Sequence, residues 1–140
     1  MFLGKYTRKI GKRSRALSIP PSLAGKLGDW MVLVATEASR YLELHPLEDP
    51  RKLLGEHEWL LECRNRKITI PNVLYQQVEW LKKELLVVGN EDHAEIWGKE
   101  QYRKELKETI ERVKYLKGMD REIGVTLLRV LEISPKELEG

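Results

Sequence analysis

The sequence predicts an α+β fold, mainly β: two tandem β-units forming one small pseudo-symmetric β-barrel, followed by C-terminal helices. Three observations point there. A segment of eleven residues recurs 51 positions further on. Each copy is followed by short runs with the alternation of half-buried strands. Beyond Lys99 the apolar spacing becomes that of a helix.

The repeat sets Ile10-Gly11-Lys12-Arg13-Ser14-Arg15-Ala16-Leu17-Ser18-Ile19-Pro20 against Leu61-Glu62-Cys63-Arg64-Asn65-Arg66-Lys67-Ile68-Thr69-Ile70-Pro71, and eight of the eleven positions agree in kind. Two arginines, an isoleucine and the proline are identical. Self-similarity of this sort marks two copies of one structural unit. A unit of about 45 residues cannot bury a core alone, so two must share one or pair with a second chain.

Each unit reads strand, turn, strand, short helix, strand, turn, strand. The basic stretch before each proline is the hairpin turn. Pro21 and Ser22 open the first helix, which runs to Leu27, and Asn72 caps the second. Apolar strands follow at Trp30–Ala35 and Leu85–Val88, then turns at 36–39 and 89–92, then the alternating strands Tyr41–Pro46 and Ala94–Trp97. The units therefore span 1–46 and 61–98, with a short helical link at 47–60 and a helical tail at 99–140. In the tail, Tyr102, Leu106, Ile110, Val113 and Leu116 form one stripe, and Gly118 ends that helix. Asp120 caps another, and Ser134-Pro135-Lys136-Glu137 is a capping box opening a last turn. Such a stripe calls for packing, on the barrel or on a neighbouring subunit.

Of 140 residues, 41% are hydrophobic and 34% charged, which suits a folded domain and excludes a disordered or collagen-like chain. No apolar run reaches the roughly 18–20 residues of a membrane span, and no secretory leader is visible at the N-terminus. One cysteine, Cys63, excludes an internal disulfide. The expectation is a cytoplasmic protein without a membrane partner. The net charge of +3 hides an asymmetry: residues 1–20 carry +6 and no acid, leaving −3 for the other 120. Concentration of this kind fits a polyanion, nucleic acid before an anionic membrane surface; the alternative is a solvated basic edge strand.

No phosphate-binding glycine loop, dinucleotide fingerprint or zinc spacing occurs. His45, His57 and His93 are scattered, so no metal and no cofactor are expected. Cys63 stands beside Arg64 and Arg66, which favour a thiolate, but no base is placed to complete a nucleophilic pair. The chain reads as a non-enzyme.

The basic turns suit binding instead. Arginine's fork meets a phosphate, or guanine O6 and N7 in the major groove, which a β-ribbon can enter. The candidate DNA-binding residues are Lys5, Arg8, Lys9, Lys12, Arg13, Arg15, Arg64, Arg66 and Lys67. Phosphate contacts by Lys5, Arg8, Lys9 and Lys12 position the turns, and Arg15 and Arg66 read bases. The alternative has the paired arginines, Arg13/Arg64 and Arg15/Arg66, bridging to the chain's own acids.

These residues also carry a family resemblance. The start Met1-Phe2-Leu3-Gly4-Lys5-Tyr6, the strand ends Ala16-Leu17-Ser18-Ile19-Pro20 and Lys67-Ile68-Thr69-Ile70-Pro71, and the stretch from Val87-Val88-Gly89-Asn90 through Glu95-Ile96-Trp97-Gly98-Lys99-Glu100 resemble MraZ. That family has two tandem SpoVT/AbrB-type swapped-hairpin units, and the likeness covers about residues 1–105. It implies a DNA-binding transcriptional regulator that forms homo-oligomers, commonly rings, with its loop arginines falling on Arg15 and Arg66. The chain departs from the family's Asp-x-x-Gly-Arg loop motif, with Gly11 and Ser14 in the first copy and Glu62 and Asn65 in the second. Asn65 tolerates left-handed backbone, Ser14 less readily.

Two other functions fit the same pattern. One is a structural, oligomer-forming barrel that has lost DNA binding. The other is an AbrB-type antitoxin whose helical tail holds a protein partner. Residues 123–138 faintly resemble the closing helices of repressor helix-turn-helix domains, without a recognition helix before them.

Overall fold

A computed structural model describes residues 2–36, 40–48 and 54–115, the last four of these as backbone only. The chain divides into two compact units, Met1–Lys99 and Glu100–Gly140. In the first, eight strands and two short helices follow in the order β1 (Lys5–Arg8), β2 (Ala16–Ser18), α1 (Pro21–Leu27), β3 (Trp30–Ala35), β4 (Leu42–Pro46), β5 (Glu58–Glu62), β6 (Lys67–Thr69), α2 (Asn72–Gln77), β7 (Leu85–Asn90) and β8 (His93–Gly98), with a 3-10 turn at Glu79–Lys82. Helix α3 (Lys99–Tyr115) begins at the end of the first unit and forms the described part of the second.

All pairings are antiparallel. Six strands make one sheet in the order β1-β7-β8-β4-β3-β5, and β2 pairs with β6 in a separate ribbon. The mainly β, α+β class holds, but the sheet is not a closed barrel. Among the described residues β1 pairs only with β7, and β5 only with β3, so both remain edges. Closure needs those edges to find partners; the ribbon strands that could serve are hydrogen-bonded to each other instead.

Alternation decides the faces. Met31 and Leu33 on β3, Leu42 and Leu44 on β4, Leu85 and Val87 on β7, and Ala94 and Ile96 on β8 are buried and share one core. Leu17 and Ile68 from the ribbon, Leu23 and Leu27 from α1, and Leu74 from α2 complete it. The ribbon and helices therefore cover one face of the sheet.

The expected helical link gives way to strand. β5 starts at Glu58, inside the 47–60 segment, and its Leu60 lies opposite Val32. A ladder along β3 outweighs the modest local helix preference of Glu58-Trp59-Leu60-Leu61. The link's residues 49–53, part of the turn at 36–39, and every expectation beyond Tyr115, including the Gly118 stop, the Asp120 cap and the Ser134–Glu137 box, lie outside the described residues. Both short helices are preceded by Pro20 and Pro71, at φ −54°, without a side-chain cap. Asn72 stands inside the helix, where its Oδ1 accepts from Gln76. In α3, Tyr102, Leu106 and Ile110 are half-buried along the expected stripe. No helix among the described residues is long and apolar enough to cross a membrane.

Gly89 fixes the N-terminal segment. Its N–H donates to the Gly4 carbonyl at 2.8 Å, Phe2 N–H donates to the Glu91 carbonyl at 2.8 Å, and a Cβ on Gly89 collides with the backbone of Phe2 and Leu3. Gly89→Ala is expected to lower the unfolding free energy by about 1–3 kcal/mol, because the clash is with backbone that cannot rotate aside. Urea denaturation checks this as a lower midpoint at unchanged slope.

Candidate nucleic-acid interface

The two basic hairpin tips are built differently. In the first, Gly11 N–H donates to the Ala16 carbonyl at 3.1 Å and Arg15 N–H to the Gly11 carbonyl at 2.8 Å, while Ser14 Oγ accepts from Ala16 N–H at 3.2 Å. In the second, Arg64 and Lys67 exchange backbone hydrogen bonds at 3.0 and 2.9 Å, leaving Asn65 and Arg66 as a two-residue turn. Both have positive φ, 51° and 60°, the primed turn whose twist suits flanking strands.

This difference corrects the single offset of 51. Tyr6 on β1 and Trp59 on β5, 53 positions apart, are each half-buried against the core. The first tip has four residues between its closing pair and the second has two, so the offset falls to 51 only after the turn. Counted from the closing pairs, Ile10 and Cys63 are the residues just before each tip, because turn length sets the register.

Arg15 also has positive φ, 55°, so the arginines 51 positions apart are both left-handed. The sequence favours that conformation at Asn65 over Ser14; Asn65 has it, while Ser14 ties the turn through its hydroxyl. Left-handed backbone costs a branched or long side chain about 1–2 kcal/mol that glycine avoids.

The ribbon sets the tips apart. Ile70 N–H donates to the Arg15 carbonyl at 2.9 Å, and Ile19 N–H to the Arg66 carbonyl at 2.7 Å. Arg15 and Arg66 are thus four residues apart along the ladder, roughly 14 Å. Lys9, Lys12, Arg13, Arg66 and Lys67 are exposed, with no ion pair among the described residues. The other candidates are engaged. Arg15 is half-buried and its Nε donates to the Ile70 carbonyl at 3.1 Å. Arg8 donates to the Ser18 carbonyl at 3.2 Å and the Thr7 carbonyl at 2.8 Å. Arg64 meets Glu62 at 3.0 Å, a contact that raises the guanidinium pKa. Lys5 is half-buried on β1.

Cys63 does not behave as its neighbours suggest. Burial, with the charge of Asp29, pushes its thiol pKa up. The thiolate expected from Arg64 and Arg66 is thereby disfavoured; both arginines are exposed on the turn.

Away from the tips, pairing of β4 with β8 collects residues that looked scattered. His45 and His93 stack with ring centroids 5.0 Å apart at 17°. His45 Nε2 lies 2.8 Å from Glu43 Oε1, His93 Nε2 lies 2.7 Å from Glu95 Oε2, and His93 Nδ1 lies 2.7 Å from Asp92 Oδ1. Glu95, 8% exposed, also accepts from Trp97 Nε1 at 2.8 Å and Asn90 Nδ2 at 2.9 Å. Burial opposes the charged imidazole of His93, but its hydrogen bonds to Asp92 and Glu95 prevail and raise its pKa. The only sequence signal was the shared parity of Glu43 with His45 and of His93 with Glu95, each putting two polar side chains on one strand face. No protein-family model matches the chain, and no curated protein matches it.

Proposed function

We propose that the chain is a transcriptional regulator that binds double-stranded DNA through its two hairpin tips and acts as a homo-oligomer, as the likeness to MraZ implies. One observation carries this reading: both tips hold an arginine in costly left-handed backbone, and around them five exposed cations lack an acidic partner among the described residues. Backbone strain and unmatched charge retained together fit a surface kept for a polyanion. Lys9, Lys12 and Lys67 then contact phosphates, while Arg13 and Arg66 reach base edges. Arg15 and Arg64 hold the tips in place, and Arg8 ties β1 to β2.

The tandem-unit reading belongs to the same proposal. The strand order β1-β7-β8-β4-β3-β5 is symmetrical if β1, β3 and β4 are exchanged with β5, β7 and β8, and Leu17 faces Ile68, the residue 51 positions on. In that scheme the first strand of each unit pairs with the third strand of the other, as in a swapped hairpin. Self-association has support in the open edges β1 and β5 and in exposed Trp30 and Leu60. A nucleoid-associated place in the cytoplasm follows from DNA binding.

Selection from a random DNA pool at 50 and 200 mM salt tests the reading. Three phosphate contacts per chain give a log–log salt slope of about −3, a loss of roughly 40-fold over that range. Enrichment of a repeated motif is the expected result for a regulator. The Arg64–Glu62 pair and the Arg15–Ile70 contact favour the second reading, an oligomeric scaffold, and absence of binding at 50 mM salt would select it.

A further inference from the structure

The cluster on β4 and β8 lies on the sheet face opposite the core. Leu42, Leu44, Ala94 and Ile96 turn inward, so alternation turns Glu43, His45, His93 and Glu95 outward. Glu43 stands directly opposite Glu95 in the ladder, an arrangement of like charges that is destabilising without a cation between them. His93 sharpens the requirement. Each of its ring nitrogens is 2.7 Å from a carboxylate oxygen. A neutral imidazole has one N–H and one lone pair, so one nitrogen would face an oxygen that can only accept. The cluster therefore calls for positive charge, as a proton or as a metal ion.

We propose that Glu43, His45 and His93 bind a divalent transition-metal ion of the zinc class, with Asp92 orienting His93 and Glu95 offering a further oxygen. The ligand atoms of Glu43, His45 and His93 lie within 4.8 Å of one another. Zinc bonds to nitrogen and oxygen of about 2.0–2.2 Å place tetrahedral ligands about 3.3–3.5 Å apart. Glu43 Oε1 is now 2.8 Å from His45 Nε2 and 4.0 Å from His93 Nε2, values on either side of that separation. With separations of up to 4.8 Å and the two rings 17° from parallel, both imidazoles must rotate about χ1 and χ2 to converge on one ion. An Asp92 carboxylate on Nδ1 leaves Nε2 free to coordinate, the usual outer support of a histidine ligand. Imidazole with carboxylate suits zinc, nickel or cobalt better than magnesium or calcium. His45 and Asp92 also line an open cavity of about 460 Å³, which gives a hydrated ion its way in. The consequence is structural. β4–β8 joins the β1-β7-β8 half of the sheet to the β4-β3-β5 half through three residue pairs, against six in β7–β8, and a bound ion staples that seam.

The test uses the full chain without a metal-binding tag. Zn²⁺ affinity is measured by chelator competition, Co²⁺ by its visible d–d bands, and stability by the thermal midpoint with and without Zn²⁺. One ion per chain and a raised midpoint are expected. His45→Gln and Glu43→Gln weaken binding at least about tenfold and Asp92→Asn by about tenfold, whereas Cys63→Ser and His57→Gln leave it unchanged. Should a ligand variant fail to fold, ring NMR signals of the unaltered protein serve instead: Zn²⁺ shifts His45 and His93 but not His57. No uptake of Zn²⁺ or Co²⁺ at micromolar concentrations, leaving a protonated His93 as the charge, overturns the proposal. So does binding that survives His45→Gln or disappears with Cys63→Ser.

Discussion

Leu17→Ala is expected to destabilise the protein by about 2–5 kcal/mol, and Ile68→Ala by a similar amount. Both side chains are buried, 0% and 1% exposed, and the two residues face each other in the β2–β6 ribbon. The ribbon has three paired residues per strand and no ladder to the main sheet among the described residues, so it is held to the core chiefly by these two side chains and by Ile19 and Ile70. A cavity there cannot be closed by a shift of one strand without breaking the other's register. Because the two sites touch the same space, the double variant should depart from the sum of the singles by about 0.5–3 kcal/mol. Denaturant unfolding of the four proteins measures this. Strict additivity would mean that the ribbon strands do not share one packing site.

Arg66→Gly is expected to move stability and DNA affinity in opposite directions. Glycine takes φ 60° without the Cβ penalty, and after its own entropic cost the net gain is about 0.5–1 kcal/mol. Loss of a base-edge contact should cost about 1–3 kcal/mol of binding, roughly 5- to 150-fold, with preference relaxed at one position of the site. Asn65→Gly, which keeps the cation and the turn, should bind as the parent does. Lys12→Ala should instead weaken all sequences alike and make the salt slope shallower by about 1. If Arg66→Gly gains stability and binds DNA unchanged, the left-handed arginine has no part in recognition.

Local signals were read well where the physics is local. Strand Trp30–Ala35 and helix Pro21–Leu27 have the bounds that the apolar run and the opening proline suggested. The basic turns were found because Arg-x-Arg before a short apolar strand is visible within a few residues. The candidate interface was legible only as composition. That Arg15 spends its Nε on the Ile70 carbonyl, and Arg64 its own on Glu62, depends on partners brought by the fold. The two-residue difference between the tips was masked, because Ile10 and Leu61 are both apolar and align without complaint.

Periodicity, capping prolines and turn chemistry follow from contacts between residues one to four apart, so strands, short helices and basic tips could be placed from the chain alone. Partnership could not. β1 lies on β7 with Lys5 opposite Val88, β5 takes the edge of β3 instead of a helical link, and the sheet stays open where a barrel was expected. These are choices among distant strands of similar pattern, decided by which arrangement buries both apolar faces at once. Pairing of β4 with β8 likewise set His45 beside His93 and Glu43 against Glu95. Spacing along one strand had shown each half, and only the ladder between the strands could join them.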